Sequence, residues 1–315
     1  MLVAAPSRWD EACFSVPAMR ALLASGLQTG VLCPAEQREF WQTLEGLVVL
    51  DFSSAEKAKQ VAREIAGNWQ AALAWEPGTA AEAFKIAGIP RRIGPDGKAL
   101  AKLLTHPIAP VVSPLEHRVR HYLALVEALG IPTTRPEFFA AAALGIEPVV
   151  GAVLCCPGSD FGASHEWPID RWQEIVSALL QSGHRVTIAS VGGGRRLAEQ
   201  LTSKLGNAVE SFHASPLGGT LPVLAVHGLV IAADGSLPHL AAHAGSTCLT
   251  LFGPNDAAWK RPLGKRHAVV KRHVECSPCL LPRCPHDLRC QNELETARVL
   301  QAVGEKLAEL RVVQS

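Results

Sequence analysis

Residues 149–172 read VVGAVLCCPGSDFGASHEWPIDRW, and this order predicts a parallel α/β sheet with a ligand at its edge. An unbroken apolar run before a glycine turn is typical of a strand buried on both faces. In open parallel sheets, ligands bind beyond the carboxyl ends of the strands. Main-chain N–H groups near Gly158, with the hydroxyls of Ser159 and Ser164, suit a diphosphate. An ordinary strand–helix turn would also use glycine here.

A second loop has the same character. Residues 232–245 read AADGSLPHLAAHAG, so a strand ends at Asp234, and Gly235-Ser236 opens a helix whose N–H groups favour an anion. His239 lies in the first turn of that helix. Asp234 alone could be a simple N-cap. Since both loops follow strands of one predicted sheet, together they predict a nucleotide-diphosphate site, and a glycine loop at Gly192 adds room for a ribose or base.

The rest of the chain repeats this alternation of short apolar runs and amphipathic segments, which predicts α/β units in both halves. Helices are expected at 15–24, 35–43, 115–129, 168–182, 194–205, 220–227, 236–244 and 295–310. Strands are expected at 1–5, 29–34, 47–52, 71–75, 149–156, 185–190, 229–234 and 248–253. The proline-bounded segment 131–148 indicates a domain connection, so we expect domains at 1–147 and 148–294.

Composition excludes several classes of protein. The 315 residues are 48% hydrophobic and 19% charged with a net charge of +1, which indicates a globular chain without a global attraction to nucleic acid. No signal peptide or spanning segment is expected. Nine cysteines, an odd number, without an export signal favour a reducing compartment, so a cytoplasmic protein is expected.

Several motifs resemble the lipopolysaccharide heptosyltransferases, glycosyltransferase family 9, and are most similar to the heptosyltransferase II branch. The resemblance implies a GT-B architecture, in which two Rossmann-like domains face each other with the active site in the cleft. It also implies inverting transfer of a heptose from ADP-heptose to the lipopolysaccharide inner core, without a metal, and a last helix, about 295–315, that packs back on the first domain. The segments that carry it are 91–108, 117–130, 156–172, 231–254 and 276–290.

Two positions depart from the family pattern. The family has a Gly-Asp pair six residues before a helix proline, with the aspartate as catalytic base. Counting back from Pro17 gives Glu11, with Asp10 in the place of the glycine. We expect a catalytic acid here, Glu11 ahead of Asp10, although both acids could merely cap a helix beginning near Ala12. The family also has a lysine before the Trp-Pro pair, where this chain has His165, a weaker and pH-sensitive partner for a diphosphate.

Two further clusters have open interpretations. Basic residues gather between 85 and 135, and Arg92, Lys98, Arg118 and Arg120 suit an anionic glycolipid acceptor, unless they form an ordinary solvated surface. The cysteines Cys276, Cys279, Cys284 and Cys290 have metal-ligand spacing. Similar cysteines occur in related transferases that look metal-independent, so packing or an incidental disulfide is the main expectation.

The sequence therefore predicts a cytoplasmic glycosyltransferase with a nucleotide-sugar donor and an anionic glycolipid acceptor. It would need no cofactor and could contact the inner membrane peripherally. The alternatives are a sugar-nucleotide epimerase or hydrolase of the same fold, and a catalytically weakened nucleotide-sugar-binding paralogue.

Overall fold

The structure is a computed structural model that describes residues 1–109, 112–113, 115–191 and 194–314. The chain divides into two compact units, unit 1 (Met1–Ala140) and unit 2 (Ala141–Ser315). This boundary precedes the expected one at 147/148 because the connecting segment is already tied to unit 2. The Ala142 N–H donates to the carbonyl of His243 over 2.7 Å.

Unit 1 is a six-stranded parallel sheet with the order β3-β2-β1-β4-β5-β6. Its strands are β1 (Leu2–Ala4), β2 (Gly30–Pro34), β3 (Val48–Phe52), β4 (Ala71–Leu73), β5 (Arg91–Pro95) and β6 (His106–Ile108). Its helices are α1 (Trp9–Ala24), α2 (Arg38–Trp41), α3 (Ala58–Ile65), α4 (Thr79–Ile86) and α5 (Val119–Glu127).

Unit 2 repeats this topology with the order β12-β11-β10-β7-β8-β9. Its strands are β7 (Val149–Cys156), β8 (Arg185–Val191), β9 (Glu210–Ala214), β10 (His227–Ala233), β11 (Thr247–Phe252) and β12 (Ala268–Lys271). Its helices are α6 (Ile169–Gln181), α7 (Arg195–Leu205), α8 (Leu221–Val226), α9 (Leu237–Ala244), α10 (Ala257–Lys260), α11 (Arg289–Asn292) and α12 (Thr296–Gln314).

Both units have the doubly wound strand order of Rossmann-like domains, so the predicted α/β class with two such sheets is confirmed. β10 is buried along its whole length, and β7 is buried over its last five residues, as their apolar sequences predict. No helix among the described residues is both long and apolar enough to cross a bilayer.

The last helix belongs to the core of unit 2. Val299, Val303 and Leu307 of α12 pack in one cluster with strand residues such as Val153 and Leu251. The sequence analysis placed this helix on the first domain. The apolar stripe of α12 is instead used by the second sheet, because these three side chains are buried there.

Candidate functional site

The two predicted ligand loops meet at the switch point of the second sheet. β7 and β10 are adjacent, and the strand order reverses between them, which is where open α/β sheets bind ligands. The loop after β7 and the turn after β10 are joined directly, since the Ser159 hydroxyl donates to the main-chain carbonyl of Asp234 over 2.5 Å. The predicted convergence of these loops is therefore present in the fold.

Asp234 is the most buried acid of this site, with no exposed surface. Its Oδ2 accepts a hydrogen bond from Asn255 Nδ2 at 2.6 Å and lies 3.0 Å from His165 Nδ1. Its Oδ1 has no hydrogen-bond partner among the described residues. Burial raises the pKa of Asp234, against the lowering effect of the His165 and Asn255 hydrogen bonds. A buried carboxylate oxygen without a hydrogen-bond donor is costly, so the site lacks one polar partner at this atom.

His165 therefore lies at the site, but its Nδ1 already contacts Asp234. Its ring is 3% exposed and packs edge-on against Phe161, with ring centroids 5.6 Å apart. The position where the family has a lysine thus serves first to hold Asp234.

The N-terminus of α9 lies beside Asp234. The Ser236 N–H donates to Asp160 Oδ1 over 2.8 Å, so a carboxylate of the chain itself sits where an anion is expected. Gly235 makes this approach possible, since a Cβ at that position would be 2.7 Å from the same oxygen.

Two glycines allow the loops to pack backbone to backbone. A Cβ on Gly158 would lie 2.2 Å from the carbonyl oxygen of Gly194, and a Cβ on Gly194 would lie 2.4 Å from the Cα of Gly158. Only glycine fits at both positions without moving a main chain. The predicted Gly192 lies outside the described residues.

Ser164 and His239 are both buried, and each is 2% exposed. The Ser164 hydroxyl donates to the carbonyl of Leu281, and its N–H donates to that of Pro282 over 3.3 Å. Ser164 therefore anchors the cysteine-rich segment, whereas the sequence analysis assigned it to a diphosphate. His239 lies in the first turn of α9, as predicted.

A cavity of about 230 Å³ lies next to these loops. It is bounded by the loop after β7 and by the start of α7. Its lining includes two carboxylates and one guanidinium, and consists of Ser159, Asp160, Gly162, Ala163, Glu166, Arg196 and Leu197.

The predicted catalytic acids lie at the corresponding switch point of unit 1. α1 begins at Trp9, with Arg8 as N-cap, so Asp10 and Glu11 are in its first turn and neither is the capping residue. Asp10 is fully buried and accepts from Arg8 Nε and Nη2, each over 3.0 Å. The helix expected at 15–24 begins at Trp9 instead, because Trp9 packs on Phe40 and extends the buried face.

The Glu11 carboxylate is held by two residues, Arg118, which is the N-cap of α5, and Tyr122, which lies within α5. Arg118 donates to Oε1 and Oε2 over 3.0 and 3.1 Å, and the Tyr122 hydroxyl donates to Oε2 over 2.7 Å. Burial and the Glu11 carboxylate raise the pKa of Tyr122 well above its ordinary value, so the phenol stays a donor. Trp75, which follows β4, packs edge-on against the Tyr122 ring.

The four basic residues assigned to the acceptor have different surroundings. Arg118 binds Glu11, and Arg120 forms a two-pronged pair with Glu127 at 3.0 Å. Arg92 donates to the main-chain carbonyls of Leu103 and Ile89, each over 2.7 Å, and so ties β5 to its neighbouring loop. Lys98 is exposed after β5.

The four cysteines of the C-terminal segment are free thiols. Burial, together with the nearby Cys276, Cys284 and Cys279, raises the pKa of Cys290 to about 11. Within the described part of the chain, no three His, Cys, Asp or Glu side chains are arranged to hold a metal ion.

Sequence reasoning missed Asp160, Asn255 and Tyr122. Asp160 stands inside the quoted P-G-S-D loop and Asn255 follows β11, so a search for polar residues after every strand would have found both. Tyr122 is the only tyrosine of the chain, and nothing in its helix marks it as a partner of Glu11.

The family model for glycosyltransferase family 9 (heptosyltransferase) matches residues 79–288. The chain belongs to this family. The match covers the segment that follows β7 and the turn at Asp234, so the resemblance read from those motifs is confirmed.

A curated relative is the lipopolysaccharide heptosyltransferase 1 of Pseudomonas aeruginosa PAO1, which is 30% identical over 121 residues. That alignment covers 38% of this chain and 34% of the relative, so the match spans about a third of the length of the curated relatives.

Solved structures match along the whole chain. The Escherichia coli ADP-heptose lipopolysaccharide heptosyltransferase II has a TM-score of 0.78 at 19% identity and covers 98% of both chains. The E. coli heptosyltransferase WaaC with ADP has a TM-score of 0.76 at 16% identity and covers 97% of this chain and 99% of its own. At these identities the likeness shows the fold.

Proposed function

We propose that the protein is an inverting glycosyltransferase that moves a heptose from ADP-heptose to an anionic acceptor of the lipopolysaccharide inner core. The observation that carries the proposal is the Asp234 turn, where a buried carboxylate adjoins the N-terminus of α9 and one of its oxygens has no hydrogen-bond partner among the described residues. A sugar nucleotide brings a hydroxyl donor for that oxygen and a phosphate that could replace Asp160 at the helix N-terminus.

The donor half of the reaction is assigned to unit 2. Asp234 Oδ1 would accept a hydroxyl of the donor, and the N–H groups at Gly235 and Ser236 would stabilise the charge that grows on the departing diphosphate. His165 and Asn255 keep the Asp234 carboxylate in place. Fixed N–H dipoles do not reorganise during the reaction, so we propose that no metal ion is required.

The acceptor half is assigned to unit 1. Glu11 would take the proton of the attacking hydroxyl, and Arg118 and Tyr122 fix the orientation of its carboxylate. An anionic acceptor suits the exposed Lys98, whereas Arg118 and Arg120 are already paired with Glu11 and Glu127. We place the reaction at the cytoplasmic face of the inner membrane, where such an acceptor is made, with no role for nucleic acid.

The test is transfer by the purified full chain. ADP-heptose and a heptose-free inner-core acceptor should give a product heavier by one heptose, detected by mass spectrometry. A thermal-shift panel of ADP, UDP and GDP and their sugars should show its largest shift with the ADP compounds. Rapid turnover of the donor without an acceptor would instead support an epimerase or hydrolase.

A nucleotide-sugar-binding paralogue with weak transfer is the second candidate. Glu11 is already held by two donors, and His165 stands where a fixed charge is expected. Binding of ADP without transfer from any ADP-sugar would favour this candidate.

A further inference from the structure

The Asp160 carboxylate lies at the N-terminal end of α9. Its Oδ1 accepts a hydrogen bond from the Ser236 N–H over 2.8 Å. The same oxygen lies so close to Gly235 that a Cβ on that residue would be only 2.7 Å from it. The partial positive charge of a helix N-terminus attracts one anion, and here the chain supplies it.

We propose that Asp160 is a specificity-determining residue that competes with the donor's diphosphate for the N-terminus of α9. The inference rests on the proposed function, since it concerns the same nucleotide site. Two anions cannot share one N–H donor, so the carboxylate must leave when a phosphate binds. Asp160 therefore weakens the binding of charged nucleotides, including the product ADP, and aids release of that product.

A second observation indicates a ligand at this turn. Asp234 is completely buried, directly precedes the turn, and keeps Oδ1 without a hydrogen-bond partner among the described residues. Asp160 satisfies the N–H group but cannot satisfy this acceptor, because a carboxylate has no proton to donate. What the turn lacks is a hydrogen-bond donor to Asp234 Oδ1, which a hydroxyl of a bound ligand would supply.

The local contacts allow Asp160 to leave without unfolding the loop. Asp160 is exposed, so its carboxylate can move into water. The loop is held by Ser159 instead, whose hydroxyl donates to the Asp234 carbonyl and accepts the Phe161 N–H at 3.0 Å. Removing the charge at Asp160 leaves both of these hydrogen bonds in place.

The experiment measures how Asp160→Asn changes the affinity for ligands of increasing charge. Isothermal titration with adenosine, AMP and ADP is compared between the native chain and the variant. We expect ADP to bind about three- to tenfold more tightly to Asp160→Asn, AMP to gain less, and adenosine to be unchanged, because a charge at a helix terminus has effects of this order. Asp160→Ser, which is also uncharged, should act in the same direction.

The matched control is Asp170→Asn. Asp170 is an exposed acid in the first turn of α6, paired with Lys204, so this variant removes the same charge from unit 2 but away from α9. It should leave all three affinities unchanged.

Weaker ADP binding by Asp160→Asn, or an equal change for adenosine and ADP, would overturn the inference, because Asp160 would then support the loop. If neither protein bound any nucleotide, the nucleotide site of the proposed function would itself be wrong, and the inference with it. Binding of ADP by the native chain separates these two failures.

Discussion

Arg118 donates to both carboxylate oxygens of Glu11, with Nε 3.0 Å from Oε1 and Nη2 3.1 Å from Oε2. The Glu11 side chain is 9% exposed and that of Arg118 is 36% exposed, so the pair is partly shielded from water. A residue that the sequence assigned to the acceptor thus positions the residue assigned as the base.

We expect Arg118→Ala to lower the free energy of unfolding by about 1–3 kcal/mol, because it leaves a buried carboxylate without its main partner. The double variant Arg118→Ala/Glu11→Gln should lose less than the sum of the single variants, with a coupling of about 1 kcal/mol. Urea denaturation of the four proteins measures this. Arg120→Ala is the control, since its partner Glu127 is 34% exposed, and it should cost less than about 1 kcal/mol. Additive costs for Arg118 and Glu11 would contradict the coupling.

Glu11→Gln should reduce the rate of transfer by about 10²–10⁴-fold, the range that a general base contributes. The amide keeps the size of the side chain and can still accept from Arg118 and Tyr122, so the fold should persist. ADP affinity, measured by titration, should stay within about twofold, since the nucleotide is assigned to unit 2. If Glu11→Gln kept full activity while Asp10→Asn abolished it, the base would be Asp10.

Gly158 and Gly194 allow the loops after β7 and β8 to pack backbone to backbone. Gly158→Ala should destabilise unit 2 and abolish ADP binding, because its Cβ would lie 2.2 Å from the Gly194 carbonyl oxygen. Gly304→Ala in α12 should be stabilising by about 1 kcal/mol, since nothing lies within 4 Å and alanine favours a helix. Thermal melts and ADP titration report both. Normal ADP binding by Gly158→Ala would show that the loops can separate.

Transfer should continue in excess EDTA, because the proposed stabilisation of the diphosphate uses N–H groups. The measurement is the initial rate before and after chelation and after addition of Mg²⁺ to the chelated enzyme. A loss of activity that Mg²⁺ restores would contradict the metal-free proposal.

The sequence predicted the strands that carry the site better than those at a distance from it. β7 and β10 are long and apolar, so their positions and the loops after them could be predicted. β5, β6, β9 and β12 were missed. Apart from proline, RRIGP, HPI and ESFHA have only one large apolar residue each and resemble loops, and AVVK is only four residues long. Local pattern indicates burial, and a strand that is mostly exposed or charged gives little of that signal.

The contacts within the site could not be predicted in the same way. His165 lies 69 residues from Asp234 and Arg118 lies 107 residues from Glu11, so no spacing rule links them. Residue type indicated that each could bind a ligand. The fold shows that several of these groups bind one another, which is an electrostatic requirement of burying charges together.

Asp234→Asn should raise the stability of unit 2 at neutral pH. Burial raises the pKa of Asp234 above its ordinary value of 3.8, so the folded chain keeps this proton to a higher pH than the unfolded chain does. The stabilising contribution of proton binding is therefore complete below pH 3.8 and is lost as the pH rises through the raised folded pKa. Asparagine does not titrate and can still accept from Asn255.

The expected gain appears at pH 7 as a Tm that is higher for Asp234→Asn than for the native chain. The difference in Tm between variant and native chain should shrink toward pH 4, where Asp234 is increasingly protonated. Thermal melts from pH 4 to 7 measure this difference. The effects of the other carboxylates on Tm cancel in the difference, because these groups titrate alike in both proteins. A lower Tm for Asp234→Asn at pH 7 would mean that the contact with His165 stabilises the ionised carboxylate by more than burial costs.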